Sequence, residues 1–98
     1  MTTEVFNELI EKELETCRNV LVKKAGEYAT EDRLHNFKVA AAVQGISPME
    51  ALAGMMAKHT VSVYDMASTN SDAPLELWNE KITDHINYLL LLWAMVNE

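Results

Sequence analysis

A chain of 98 residues, 49% hydrophobic and 23% charged, suits one globular domain and is too apolar to be disordered. Its net charge of −7 argues against a duplex nucleic-acid binder, which needs an excess of Lys and Arg to displace counterions. A small phosphorylated ligand stays open, held by a few local cations or by a divalent metal bridging acids to phosphates.

The first predicted helix follows a Thr2 or Thr3 cap, with acids in its first turn. Phe6, Leu9, Ile10, Leu14, Cys17, Val20 and Leu21 recur at helical spacing, and the helix is expected to run to about Lys24, with Gly26 near its end. Cys17 is the single cysteine, so there is no intrachain disulfide, and its place on this stripe reads as a buried thiol. The opening MTTEVFNELIEKELE has neither the basic nor the apolar region of a signal peptide.

GEYATED is a break. A second helix is expected from about Asp32 to Gln44, with Leu34, Phe37, Ala40, Ala41 and Val43 on its buried side and Gly45 as its stop. ISPME follows, with Ser47 as N-cap, Pro48 at N1 and Glu50 at N3, which makes a capping box. The third helix is expected to reach about Ala67, with Leu52, Met55, Met56, His59, Val63 and Met66 on one stripe. STNSDAP is a polar turn, and Pro74 restarts a helix expected from about Leu75 to Val96. No segment alternates with the period of a strand, and no repeat or linker is visible. The fold class is all-α: one compact bundle of about four helices over residues 1–98.

Three places carry candidate chemistry. On the fourth helix, at about 100° per residue, Glu80, Asp84, Asn87 and Leu91 share one narrow sector. Beyond Ile86 that helix is apolar on every side, so it is expected to be buried all round, with Asp84 and Asn87 on a face that becomes buried one turn later. Glu80 and Asp84 read either as a solvated helix start with an ordinary salt bridge or as a pair held to bind something. On the third helix Lys58, Ser62 and Asp65 share a side, with His59 beside them on the apolar stripe. Lys58 suits a phosphate and Asp65 a metal or a neighbouring cation; His59 alone reads as a satisfied core residue, and beside Lys58 and Asp65 it reads equally as a functional one. The loop KKAGEYATEDRLHNF mixes Lys23, Lys24, Arg33, Glu27, Tyr28, Asp32 and Asn36. There Tyr28 or Phe37 suits stacking on a base, and Lys24 and Arg33 suit phosphates, unless the loop is a solvated turn anchored by its Tyr.

Taken in order, Lys24 with Glu27-Tyr28, Arg33-Leu34 with Asn36-Phe37, Lys58-His59, and EKITD with NYL at residues 80–84 and 87–89 resemble a family. It is that of small phage and bacterial proteins with nucleotide modification associated domain 1, similar to the all-α, MazG-like nucleoside triphosphate pyrophosphohydrolases. The resemblance covers roughly residues 18–96. It implies a nucleotide ligand in an interhelical or intersubunit pocket, with phosphate or ligand contacts from Lys24, Tyr28, Arg33, Asn36, Lys58 and His59. It also implies Mg²⁺ held by Glu27, Asp65, Glu80 and Asp84. In MazG-like enzymes such ions bind the triphosphate and activate a water. Where those enzymes carry paired glutamates on one core helix, this chain has Lys58, His59 and Asp65, and Glu80 to Asp84 is ExxxD rather than ExxD.

Two functions follow as expectations. One is a Mg²⁺-dependent pyrophosphohydrolase. The other is a non-catalytic protein that sequesters a host immune signalling nucleotide. A helical interaction module without ligand is the third reading. The six methionines and the apolar last helix predict a homo-oligomer, a dimer or higher. The run from Tyr88 to Val96 is too short to span a bilayer, so no membrane partner is expected. The expected compartment is the cytoplasm of a bacterium or a virus-infected cell.

Overall fold

The computed structural model describes residues 1–26, 31–69 and 72–98, and nothing but helix, turn and loop occurs among them. The helices are α1 (Thr3–Ala25), α2 (His35–Gln44), α3 (Pro48–Ser68) and α4 (Leu75–Val96). Among the described residues no helix is long and apolar enough to cross a membrane.

The helix ends follow local chemistry. Thr2 accepts the Val5 N–H on its hydroxyl at 3.2 Å and so caps α1. The predicted capping box is present at α3, with the Glu50 N–H donating to the Ser47 hydroxyl and the Ser47 N–H to the Glu50 carboxylate, both at 3.2 Å. Gly45, at φ 68°, takes the left-handed conformation that ends α2, and Ile46 N–H closes back on the Ala41 carbonyl. The start of α2 lies three residues later than the expected Asp32. The Asp32 carboxylate instead accepts the Leu34 N–H at 2.9 Å, forming a turn that delivers the chain to the helix.

Packing is sequential along α2, α3 and α4, while α1 packs on α4. The core is small: Leu34, Phe37, Leu52 and Met95, flanked by Met55, Tyr88, Leu91 and Leu92. Helices α3 and α4 run antiparallel, with His59 stacked on Tyr88 and Thr60 Oγ1 in a 3.0 Å hydrogen bond with the His85 ring. Helix α1 runs beside α4 in the same direction. Its fixing point is Glu13, whose carboxylate accepts the Thr83 hydroxyl at 2.6 Å and the Cys17 thiol at 3.4 Å.

Three burial expectations need correction. The α1 stripe is buried at Cys17 and half-buried at Val20 and Leu21, but Phe6, Leu9, Ile10 and Leu14 are exposed, because the amino-terminal half of α1 has no helix over it. Val43 is exposed rather than on the buried side of α2, since α3 covers only the Leu34, Phe37 and Ala41 face. The last turns of α4 are not buried all round. Met95 is buried and Leu91 and Leu92 half-buried, while Leu89, Leu90, Trp93 and Val96 face outward, since its neighbours α1 and α3 leave those sides open.

Among the described residues Leu52 is the largest fully buried side chain, with no exposed surface. Leu52→Ala is expected to destabilise the fold by roughly 2–5 kcal/mol through lost apolar burial and the cavity left behind. Urea unfolding followed by circular dichroism measures it as a lower midpoint at unchanged slope, with Leu52→Met losing under about 1.5 kcal/mol.

Candidate functional site

The parallel run of α1 beside α4 leaves a pocket where α1, α3, α4 and the segment entering α2 converge. It holds about 280 Å³ and is lined by Val20, Leu21 and Lys24 of α1, Arg33 and Phe37 at the start of α2, Lys58 and His59 of α3, and Asp84, Asn87, Tyr88 and Leu91 of α4. That volume is near the lower end of those that hold small molecules.

Cations enter from three separate stretches of chain. Lys24 and Lys58 are exposed and Arg33 is half-buried. Arg33 sits between two anchored residues. The Asp32 carboxylate receives Lys38 Nζ at 2.8 Å, and the same Nζ reaches the Glu98 carboxylate, also at 2.8 Å. The Lys38 hydrogen bond, then the Leu34 N–H, hold the Asp32 carboxyl below the usual carboxylate range. The bonds to Asp32 and Glu98 push Lys38 above the usual lysine value.

Aromatic rings form the opposite character of the pocket. His59 lies on Tyr88 with ring centroids 4.8 Å apart and planes at 32°. Phe37 meets Tyr88 edge to face at 6.4 Å. Burial lowers the His59 pKa below its ordinary 6.5, and the charges of Lys58 and Lys81 act the same way against the opposing pull of Asp84. The imidazole is therefore neutral at pH 7, and positive charge in the pocket comes from the two lysines and Arg33.

The α4 face turned to α1 changes character within one turn. Thr83, only 4% exposed, is satisfied by Glu13. Asn87, 5% exposed, presents both its amide oxygen and nitrogen buried without a hydrogen-bond partner among the described residues. Cys17 is buried beside Glu13: burial pushes its thiol up to about 11, and the bond to Glu13 acts in the same sense.

Of the residues singled out in the sequence, the structure gathers Lys24, Arg33, Lys58, His59 and Asp84 in this pocket. Asn36 of α2, Asp65 of α3 and Glu80 of α4 are exposed and do not line it. Glu27 and Tyr28 lie outside the described residues. Phe37 and Tyr88 supply the rings, and Asn87 was signalled in the sequence by sharing a helical sector with Asp84 and Leu91. Among the described residues no group of three His, Cys, Asp or Glu side chains is placed to hold a metal ion. Asp84 is the one described carboxylate in the lining, which does not make a protein-built Mg²⁺ cage. One carboxylate does suit Mg²⁺ that arrives on a triphosphate and keeps its waters. No protein-family model, no curated protein and no solved structure matches the chain.

The depressed His59 pKa fixes a sign for the pH dependence. Above pH 6.5 the imidazole is neutral in both folded and unfolded chains and its contribution is fully present. As the pH falls through 6.5 the unfolded chain takes up the proton first, so stability drops. The urea midpoint is expected to fall between pH 7.5 and pH 5.5, and to fall less in His59→Phe, which keeps a ring on Tyr88.

Proposed function

We propose that this protein binds a nucleotide in the pocket between its helices, with phosphates against Lys24, Arg33 and Lys58 and the base among Phe37, His59 and Tyr88. The observation that carries this reading is the meeting of three cations from distant stretches of chain with a cluster of aromatic rings in one cavity. Mobile lysines and a forked guanidinium suit phosphate oxygens, and aromatic faces suit bases. The motifs that resemble the MazG-like proteins point to the same ligand. In this reading the protein retains the nucleotide intact, as a phage-type protein sequestering an immune signal in a bacterial host cell does. The described lining has more cations than carboxylates, which favours holding phosphates over assembling several metals.

A second reading is Mg²⁺-dependent cleavage of a phosphoanhydride, favoured by Asp84 in the lining. Asp84 would then meet the nucleotide-borne Mg²⁺, the ion supplying charge neutralisation and an activated water. Glu27, as the resemblance has it, would be a further ligand. Incubating the protein with a panel of nucleotides, with and without Mg²⁺, then denaturing it, separates the two. Intact nucleotide in the released fraction is expected, with Lys58→Ala weakening retention roughly tenfold, the loss of one charged phosphate contact. Released cleavage product supports the enzyme. Neither retention nor turnover of any nucleotide overturns both.

The proposed functional form is a dimer made through α1. Phe6, Leu9, Ile10 and Leu14 form an exposed apolar stripe. Antiparallel pairing with α1 of a second copy, centred near Ile10, buries the stripe of both chains in a closed two-fold interface. Light scattering on a sizing column is expected to give a dimer, with Ile10→Lys running as a monomer. A wild-type monomer at micromolar concentration counts against this pairing.

A further inference from the structure

We infer that Asn87 reads the edge of the bound base, taking from it one hydrogen bond and giving another; this rests on the nucleotide reading above. A carboxamide carries two donors on nitrogen and two acceptor sites on oxygen. At Asn87 both atoms are buried and neither has a partner among the described residues. Buried polar groups left in this state are rare.

The residue one helical turn earlier shows what is missing. Thr83 faces α1 and meets Glu13 there, so its polar atom is satisfied within the protein. Where Asn87 faces the pocket, α1 offers Val20 and Leu21, which have nothing to give an amide. The complement has to come from the pocket's occupant. It must present a donor and an acceptor side by side on a rigid planar edge, within reach of rings that stack on its faces. A nucleobase edge has that chemistry, and the planar amide of asparagine matches such an edge with two hydrogen bonds. A phosphate, which at neutral pH is an acceptor, satisfies the amide nitrogen and leaves the oxygen alone. The cations therefore place the phosphates, and Asn87 with Phe37 and Tyr88 selects what is attached to them.

Calorimetric titration of the intact protein with ATP, GTP, CTP, UTP and inorganic tripolyphosphate tests this. The tightest nucleotide is expected to bind about tenfold or more tighter than tripolyphosphate, the discrimination that a paired amide contact supplies. In Asn87→Leu, close in shape and without polar atoms, that margin collapses to within about threefold. An analogue of the tightest nucleotide lacking the donor on its base edge loses the same margin on the wild-type protein, which reads the contact without relying on a variant that folds. A margin that survives both changes overturns the role of Asn87 and leaves nucleotide binding standing. Nucleotides binding no tighter than tripolyphosphate also overturn it, reducing the pocket to an anion site. Binding of none of the five overturns the nucleotide reading itself.

Discussion

Everything about this pocket depends on how α1 is fastened. Among the described residues helix α1 packs on α4, and the fastening includes a polar contact. A carboxylate on one helix receives a hydroxyl from the other and a thiol from its own, with Cys17 and Thr83 almost fully buried around it. A hydrogen bond to a charged acceptor is directional in a way that apolar contact is not. It sets which turn of α1 stands beside which turn of α4, and a slip of one turn along α1 would carry Lys24 about 5.4 Å away from its place.

The core consequently serves two ends. Leu34, Phe37, Leu52 and Met95 hold α2, α3 and α4 together as a unit, and Phe37 extends from that unit into the pocket. The same ring thus belongs to the packed interior and to the lining, and Tyr88 joins it to His59. Rings held by the core lose little further side-chain freedom on contact with anything flat, which is what the proposed base would need. Lys24 and Lys58 are exposed beside them, and Arg33 is half-buried.

The sequence made the helices legible because their ends are written in short local rules. Ser47-Pro48 with Glu50, and Gly45 before them, need no tertiary partner to be understood. The beginning of α2 was less legible, since Asp32 uses its side chain to build a turn rather than to begin a helix. Burial was the weakest part. An apolar stripe shows which residues would be buried if something covered them, and Phe6, Leu9 and Trp93 are exposed, with nothing among the described residues over them. Of the candidate residues, the cations and Asp84 were chosen for residue types that fit phosphates and metals, and these do line one pocket. Asp65 and Glu80 misled because a helical sector fixes direction but not height. Asp65 lies two turns beyond Lys58, about 10 Å further along the axis at 1.5 Å per residue, and the pocket's height is set by where α1 is fastened.

Lys38 joins Asp32, the neighbour of Arg33, to Glu98 beyond the end of α4. Both links lie at the surface, where dissolved ions weaken them and each contributes little on its own. Ionic strength therefore reaches this pocket by two routes: dissolved ions screen the field of its cations, and they loosen the link that joins the residue beside Arg33 to Glu98. In the nucleotide reading proposed above, both act against an anion in the pocket.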